Sequence, residues 1–371
     1  MTTATAEVLR CLDCGKCTSA CPVARYNHVL SPRRLMGRLG GDPDASAGAA
    51  VWACLTCMRC DTVCPQMVPI SPSMPPLRRR AREQGDKPGF TRCSAVDSVA
   101  ILQSRSEVPQ QRLDWLKDAP DLKTDPDSKV LLWTGCTPYF DVFFAHNDVK
   151  TLDAVKGAIR ILNALGIEPA VRGDERCCGH DQLWSGDEAT FEELAALNAK
   201  MFEAAAPELV VTVCPECQLT LVNEYQRRFG TPGCEIKHVS ELVAERGGEL
   251  KFERQRKTFS FEDPCRLGRH QGKYDEPRAA LAAVPGLELR EMPRNRGRAT
   301  CCGGNWLACN QASKRLQTDL LRAARDTGGE MLVTACPKCL IHLKCAQSGD
   351  DAAVPDLEIR DLADVVAGAL A

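Results

Sequence analysis

The feature that most limits how this chain can fold is a set of five cysteines that occurs twice. The separation of equivalent positions falls only from 129 residues, between Cys136 and Cys265, to 122 residues, between Cys217 and Cys339. Such a repeat predicts a duplicated unit with small changes in its loops. The first set is Cys136, Cys177, Cys178, Cys214 and Cys217, and the second is Cys265, Cys301, Cys302, Cys336 and Cys339.

Around these cysteines, each repeat alternates short apolar strands with helical segments, which predicts an α/β unit with a parallel sheet. Strand-like runs end just before Cys136, Cys214, Cys265 and Cys336. Ligands of parallel sheets gather at the carboxyl ends of the strands, so we expect the sulfur atoms there. In C-P-E-C and C-P-K-C the proline suits a helix start, and a helix N-terminus favours the thiolate that a metal needs.

Each set also contains two adjacent cysteines followed by glycine, Cys177-Cys178-Gly179 and Cys301-Cys302-Gly303. Adjacent cysteines are poor disulfide partners, because a disulfide needs Cβ vectors that face each other. Two adjacent thiolates can hold neighbouring irons of one cluster, and the glycine permits a tight turn. Five thiolates exceed the four of a cubane, which suggests an unusual cluster. Ordinary cubanes or zinc are the alternative, but zinc leaves the fifth thiolate unexplained.

Two further cysteine runs, both with the spacing C-x2-C-x2-C-x3-C-P, lie in the N-terminal part of the chain. Two-cluster ferredoxins have this spacing, and the fourth cysteine of each run reaches the other cluster. We therefore assign one cubane cluster to Cys11, Cys14, Cys17 and Cys64, and a second to Cys54, Cys57, Cys60 and Cys21. Zinc also binds paired C-x2-C motifs, but eight cysteines in two runs closed by proline make zinc the weaker interpretation.

These patterns predict an N-terminal two-cluster ferredoxin-like domain of the α+β class, mainly helical, over residues 1–88. A linker over 89–128 and two duplicated α/β cysteine-rich domains, over 129–250 and 251–371, follow. The basic run 78–82 could dock an acidic partner or form a solvated helix face. Four cysteines outside the motifs are expected to pack as small hydrophobic residues, namely Cys93, Cys234, Cys309 and Cys345.

Composition narrows the class of protein further. The 22 cysteines in 371 residues indicate metal binding or redox chemistry in a reducing compartment rather than a disulfide scaffold. A net charge of −2 argues against nucleic-acid binding. The sequence shows neither a signal-peptide core nor a membrane-spanning apolar run, so we expect a cytoplasmic protein, or one held at the inner face of the membrane by a partner subunit. It has no dinucleotide-binding or Walker A motif, so we expect no flavin or nucleotide in this chain.

The motif C-x(n)-C-C-G-x(n)-C-x-x-C, present twice behind a two-cluster domain, resembles the cysteine-rich-domain family, best known from the catalytic subunits of heterodisulfide reductase. The resemblance covers about residues 8 to 345 and includes every motif cysteine. It implies two noncubane [4Fe-4S] clusters that flank a disulfide and capture its sulfurs on iron when it is cleaved. It also implies a small disulfide or thiol substrate, a flavoprotein or other redox subunit as electron donor, and a membrane quinone or cytochrome partner.

We therefore expect an oxidoreductase subunit acting on sulfur groups, with the ten cysteines of the two sets as the ligands that carry the chemistry. His180 could protonate a leaving thiolate or hydrogen-bond the turn beside it, and His270 is similar. Lys338 and arginines 290, 294, 296 and 298 could raise a cluster's potential and steer an anionic substrate, or form a basic loop.

Two rival functions remain at this point. The first is an electron relay between a flavoprotein dehydrogenase of the lactate, glycolate or glycerol-3-phosphate type and a quinone or cytochrome partner. The second is a regulatory or scaffold protein with clusters as sensors. Completeness of both five-cysteine motifs favours chemistry at two opposed clusters over a simple relay.

Overall fold

A computed structural model of the chain describes residues 8–42, 48–91, 94–307, 309–349 and 354–371, so Cys93 lies outside the described residues. Helices of the N-terminal part are α1 (Lys16–Ala20), α2 (Pro32–Gly41), α3 (Ala50–Ala53) and α4 (Met74–Glu83), with a 3₁₀ turn at Asp61–Val63. The segment that precedes the first sheet contains α5 (Ala95–Gln103) and a 3₁₀ turn at Asp114–Asp118. Domain boundaries at 88, 128 and 250 remain predictions.

The first cysteine-rich unit is built on a three-stranded parallel sheet with strand order β1-β2-β3. Its strands are β1 (Val130–Trp133), β2 (Leu209–Thr212) and β3 (Glu235–His238). Its helices are α6 (Thr137–Phe143), α7 (Leu152–Ala164), α8 (His180–Trp184), α9 (Glu188–Ala205), α10 (Pro215–Thr220), α11 (Gln226–Phe229) and α12 (Val239–Arg246). A π-helical turn, Leu221–Tyr225, joins α10 to α11.

The second unit has a four-stranded parallel sheet with strand order β5-β4-β6-β7. Its strands are β4 (Lys257–Glu262), β5 (Leu287–Leu289), β6 (Met331–Thr334) and β7 (Glu358–Asp361). Its helices are α13 (Gly268–Gln271), α14 (Asp275–Ala282), α15 (Gln311–Arg325), α16 (Pro337–Gln347) and α17 (Leu362–Ala367). Short 3₁₀ turns lie at Ala145–Asn147, Gly247–Glu249 and Arg296–Arg298.

The two sheets follow the same topology. Strands β1, β2 and β3 correspond to β4, β6 and β7, and an isolated parallel bridge from Leu131 to Ala170 takes the place of β5. Strands such as β6 are buried along their whole length, as expected when helices cover both faces of a parallel sheet. The predicted parallel α/β layout of both units is confirmed.

Reciprocal helix contacts join the two units. Helix α7 packs against α17, and α14, which corresponds to α7, packs against α12, which corresponds to α17. One apolar core therefore continues from the first sheet into the second and includes Leu132, Val155, Phe259 and Val366. Within the described residues, no helix is both long and apolar enough to cross a bilayer.

Candidate functional site

Each five-cysteine set lies beyond the carboxyl ends of strands of its own sheet. Cys136 follows β1 and Cys214 follows β2, while Cys265 follows β4 and Cys336 follows β6. Helices α10 and α16 both begin at the proline of the C-P-x-C motif, as the sequence predicts. The strands and helix starts thus bring together cysteines that are about eighty residues apart in the chain.

Within each set, each thiol shifts the pKa of its neighbours, and the order of neighbours is the same in both sets. The first chain of contacts runs Cys136–Cys177–Cys178–Cys217–Cys214, and the second runs Cys265–Cys301–Cys302–Cys339–Cys336. We call these two chains of thiols the first site and the second site. The duplication predicted from the sequence therefore extends from the sheets to the arrangement of the sulfur atoms.

Glycine shapes the turn after each adjacent pair of cysteines. Gly179 and Gly303 have φ values of +79° and +76°, a conformation that residues with a side chain rarely adopt. A Cβ atom at Gly179 would lie 2.5 Å from the Phe191 ring, so a larger residue would also displace α9. The tight turn expected from the C-C-G sequence is present in both units.

The cysteines of the second N-terminal run form a third group. Cys57 and Cys54 act electrostatically on Cys21, although Cys21 belongs to the first run. Cys60 is likewise under the influence of Cys54 and Cys57. The structure thus brings these four cysteines near one another, and their assignment to one cubane remains a prediction.

For the first cubane the structure brings Cys11 close enough to Cys17 to raise the pKa of the Cys17 thiol, after burial as the larger cause. Cys14 is exposed, and the Cys64 sulfur accepts a hydrogen bond of 3.4 Å from the Val68 amide. The assignment of all four cysteines to one cluster remains a prediction.

The donor chemistry of these groups fits iron–sulfur clusters. Burial raises the pKa of Cys21 to about 12 and that of Cys54 to about 11, so neither thiol ionises at neutral pH without a bound cation. Cysteine sulfur is a soft ligand that suits iron–sulfur clusters or zinc. Each five-thiol site provides one sulfur more than a tetrahedral zinc ion can use.

The second cubane group and the second site are adjacent, since the Cys301 side chain is the largest cause that lowers the pKa of the Cys57 thiol. Two arginines of the second unit fix this junction. Arg266 donates through Nη2 to Thr56 Oγ1 at 2.7 Å, and Arg269 donates through Nε to the Cys57 carbonyl oxygen at 2.5 Å. The loop that carries the second cysteine run is therefore anchored on the second unit.

A buried ionic bridge connects the two units between their cysteine sites. Lys338, of the C-P-K-C motif, lies 2.5 Å from Asp181 Oδ1 and 2.7 Å from Glu216 Oε2, and Glu216 belongs to the C-P-E-C motif. Asp181 also accepts a 2.9 Å hydrogen bond from Trp306 Nε1. Two carboxylates thus neutralise Lys338, which is 7% exposed, so it is not a free cation for steering a substrate.

His180 lies beside this bridge. Its Nδ1 is 2.9 Å from Thr220 Oγ1, and its Nε2 accepts a 3.1 Å hydrogen bond from Arg266 Nε. Burial, followed by the charge of Arg266, lowers the pKa of His180 far below its usual value, so the ring is neutral at pH 7. The ring is therefore held by side chains, and its single proton lies on Nδ1, toward Thr220. His270 Nε2 lies 2.9 Å from the Thr56 carbonyl oxygen.

A cavity adjoins the second site and is enclosed by all three parts of the chain. All five cysteines of that site line the cavity, as do Arg266, Trp306 and Lys338. Asp181 and Trp184 of the first unit also line it. A smaller cavity adjoins Cys136 and Cys177 of the first site, and Asp181 lines both cavities.

The other predicted basic residues have ordinary roles. Arg290 pairs with Glu288, and Arg296 pairs with Asp275. Arg294 and Arg298 line a groove beside Cys21. These four arginines are exposed, which agrees with the basic loop, one of the two interpretations that the sequence leaves open.

The basic run 78–82 does not form a solvated face at its first residue. Arg78 is 2% exposed and donates to the carbonyl oxygens of Val51, Cys54 and Trp184, so it holds the N-terminal part against the first unit. Both interpretations of this residue from the sequence are wrong.

The prediction that Cys309 packs in a core is also wrong, because Cys309 is exposed. Cys234 and Cys345 are partly buried.

Sequence reasoning missed a buried network that positions the first site. Arg112 and Glu175 form a 2.7 Å ion pair whose side chains are both inaccessible to solvent. Glu175 also accepts hydrogen bonds from the Thr134 and Gly135 amides, directly before Cys136. Arg112 comes from the segment predicted to be a linker, and no local spacing in the sequence indicates its partner.

Gln103, at the end of α5, extends this network to a second ligand of the first site. Its Oε1 accepts hydrogen bonds from Arg112 Nη1 at 2.9 Å and from the Cys177 amide at 2.8 Å. The segment between the N-terminal part and the first sheet is thus part of the wall of the first site.

Family models match three parts of this chain. The model described as "Cysteine-rich domain" matches residues 130–222 and 259–344, which are the two units around the first and second sites. The model described as "4Fe-4S dicluster domain" matches residues 7–68. The chain contains a 4Fe-4S dicluster domain and two CCG cysteine-rich domains. The three matched parts are therefore the domains that the cysteine motifs predict.

Curated relatives share this content. The chain is 29% identical to a probable membrane-anchored ferredoxin of Chromohalobacter salexigens, over 97% of this chain and 59% of the relative. It is 30% identical to a subunit of the dihydromethanophenazine:CoB–CoM heterodisulfide reductase of Methanosarcina acetivorans, over 70% of this chain and 63% of the relative. It is 26% identical to a subunit of the fumarate reductase (CoM/CoB) of Methanothermobacter marburgensis, over 97% of this chain and 73% of the relative.

The resemblance to heterodisulfide reductase that the motifs indicate is therefore confirmed at the level of domains and relatives. The chain spans less than two thirds of the length of the first two of these relatives.

Proposed function

We propose that this CCG-domain protein is an iron–sulfur oxidoreductase subunit in which two cubane clusters pass electrons to two noncubane clusters that reduce a disulfide. The net reaction consumes two electrons and two protons and converts one disulfide into two thiols. The observation that carries the proposal is the presence of two complete five-thiol sites with the same order of contacts. A relay alone would have no need for five thiols at both sites.

Bound iron–sulfur groups would supply one-electron transfer at each of the four positions. Cys11, Cys14, Cys17 and Cys64 would hold the first cubane, and Cys54, Cys57, Cys60 and Cys21 the second. The ten thiols of the first and second sites would hold the noncubane clusters. The contact between Cys57 and Cys301 supports a route from the second cubane to the second site.

The cavity beside the second site is the proposed place for the substrate. Its walls include Trp184 and Trp306, whose rings would exclude water from the reacting sulfur. The Arg266 guanidinium lies over the Trp184 ring at 4.2 Å, which orients the arginine along the cavity wall. His180 is held neutral between Thr220 and Arg266, and it is proposed to position the Arg266 guanidinium at this wall rather than to donate a proton.

The electron donor is proposed to be a separate redox subunit, of the flavoprotein class or another, and the complex to act in the cytoplasm or at the inner face of the membrane. Two of the relatives bear names of reductase subunits, which supports a multi-subunit assembly. A quinone or cytochrome subunit is a further candidate partner.

Anaerobic EPR spectroscopy of the oxidised, cluster-loaded protein with and without added thiol tests the proposal. A new paramagnetic signal, broadened by a thiol labelled with magnetic sulfur-33, would place substrate sulfur on cluster iron. The Cys301→Ser variant should lose the signal, and the Cys234→Ser variant, which changes a cysteine outside the motifs, should keep it. A spectrum that no thiol alters, while dithionite reduces every cluster, would favour the relay, in which every iron is already fully ligated.

A further inference from the structure

A carboxyl group lies among the thiols of the second site. Glu262 is the last residue of β4 and is 1% exposed. A carboxylate oxygen of Glu262 and the sulfurs of Cys302 and Cys339 lie within 4.8 Å of one another. Carboxylate oxygen and thiolate sulfur are both ligands of protein-bound iron. The second site therefore offers an oxygen donor in addition to its five sulfurs.

The hydrogen bonds of Glu262 leave one of its oxygens available. Oε2 accepts a 2.7 Å hydrogen bond from Thr334 Oγ1, which fixes the carboxyl group across the β4–β6 pair. Oε1 is buried and has no hydrogen-bond partner among the described residues. A buried polar oxygen without a partner is costly, so an unpartnered oxygen on a carboxyl group that lies beside two thiols points to a ligand.

The first site has no equivalent of this oxygen at the corresponding strand position. Glu262 is paired in register with Thr334, and the corresponding pair in the first sheet is Trp133 with Thr212. The Trp133 indole stacks on the Phe202 ring at 5.4 Å and offers no carboxylate. The duplication of the ten cysteines is therefore accompanied by a difference at one position, an oxygen donor in one site and an aromatic ring in the other.

We propose that Glu262 is a sixth donor of the second site and binds iron of its cluster through Oε1, whereas the first site binds its cluster through sulfur alone. This rests on the proposed function, because it requires an iron–sulfur cluster in the second site. Thr334 is the positioning residue that keeps Oε1 directed at the cluster. The two clusters are then chemically different, and the second has one iron with an oxygen ligand.

Mössbauer spectroscopy of the full-length protein loaded with iron-57 tests this inference. The wild-type spectrum should contain an iron subsite with the larger isomer shift of an oxygen-ligated iron. Glu262→Leu should abolish that subsite, and Glu262→Gln, which keeps the shape and the hydrogen bond from Thr334, should shift it. Trp133→Phe is the matched control at the corresponding position and should leave the subsite unchanged.

A redox titration of the same proteins provides a second readout. Loss of the anionic oxygen in Glu262→Gln should raise the midpoint potential of the second cluster, because the extra electron is then repelled less. Trp133→Phe should leave that potential unchanged. Identical potentials in Glu262→Gln and in wild type would contradict the inference.

Three outcomes separate the possible failures. Full iron and sulfide content with spectra that Glu262→Leu and Glu262→Gln leave unchanged would overturn the role of Glu262 and leave the proposed function standing. If the spectra are unchanged and Glu262→Gln and Thr334→Val lose the same thermal stability, the carboxyl group serves only its hydrogen bond with Thr334. That result would also overturn the role of Glu262 as an iron ligand. If the wild-type protein contains only enough iron and sulfide for the two cubanes, both proposals are overturned.

Discussion

At the scale of single residues, the Arg112–Glu175 pair makes the sharpest prediction. Glu175→Gln places an amide NH₂ group against the Arg112 guanidinium and the Gly135 amide, both of which are donors. Breaking a buried ion pair on one side costs about 3–5 kcal/mol. We expect a large fall in thermal stability together with loss of iron from the first site, measured by differential scanning fluorimetry and iron analysis.

The control for this variant is an ion pair on the surface. Arg160 and Asp121 pair at 3.0 Å, but their side chains are 46% and 58% exposed, so Asp121→Asn should have only a small effect on the melting temperature. The iron content of this control should equal that of wild type. If Glu175→Gln behaved like Asp121→Asn, the buried network would not position the first site.

Two residues at corresponding strand ends give the protein opposite responses to pH. Burial raises the pKa of Asp361, the last residue of β7, from 3.8 to about 8. The folded protein then keeps a proton that the unfolded chain releases, so this contribution to stability falls as pH rises from about 4 to 8. In Asp361→Asn, which can still accept from the Ala363 amide, the decline of melting temperature over this range should become shallower.

His238, the last residue of β3, has the opposite effect. Burial lowers its pKa from 6.5 to about 4, so below pH 6.5 the unfolded chain binds a proton that the folded protein does not. Stability should therefore fall as pH falls from about 6.5 to 4, and His238→Asn should reduce that loss. Melting curves between pH 4 and 8 check both residues, and equal slopes in wild type and both variants would contradict the two predictions.

The sequence reveals the cysteines but not the residues around them, for a physical reason. Ligands of one cluster follow fixed local spacings, such as C-C-G and C-P-x-C, because adjacent turns of backbone must present sulfur to one group. The partners of Glu175 lie 40 and 63 residues away, and Glu262 meets Thr334 across 72 residues. Contacts of this kind depend on how strands pair, which no local pattern specifies.

At the scale of elements, Gly157 decides how closely the two cysteine-rich units approach. A Cβ atom at this position in α7 would lie 2.6 Å from the Ala363 carbonyl oxygen in α17, a distance at which backbone must move. Gly157→Ala should therefore separate α7 from α17 at a cost of about 1–3 kcal/mol. Gly37→Ala, in α2 with open space around it, should be neutral or gain up to about 1 kcal/mol. Chemical denaturation compares the two variants.

The repeat predicts the elements that the two units share. Apolar runs predict β1, β2, β4 and β6, and the prolines of the C-P-x-C motifs predict the starts of α10 and α16. The packing of α7 on α17 and of α14 on α12 is not visible in the sequence, because each helix pattern shows an apolar face without naming its partner. The contact of helix α5 with Cys177 is not visible either, although a helical stretch is expected within the segment predicted to be a linker.

At the scale of the whole molecule, the N-terminal part and the second unit form one path for electrons under the proposed function. Arg269 is 8% exposed and joins the two, since it donates to the Cys57 carbonyl oxygen at 2.5 Å and to the Ala299 carbonyl oxygen at 2.8 Å. Its positive charge lowers the pKa of Cys57, although the hydrogen bond from Cys301 is the larger cause. Arg269 should therefore also favour the reduced, more negative state of a cluster held there.

Replacing Arg269 by methionine tests this link between position and potential. A unit charge about 8 Å from a cluster is worth about 2 kcal/mol at an effective dielectric constant of about 20, or about 90 mV for one electron. Arg269→Met should lower the midpoint potential of the second cubane by this order. Arg290→Met, which removes an exposed arginine paired with Glu288, should leave that potential unchanged. If an EPR-monitored redox titration gives equal potentials for wild type and Arg269→Met, Arg269 does not tune the second cubane. A shift in Arg269→Met that is absent in Arg290→Met would make Arg269 the residue that couples the two parts of the chain.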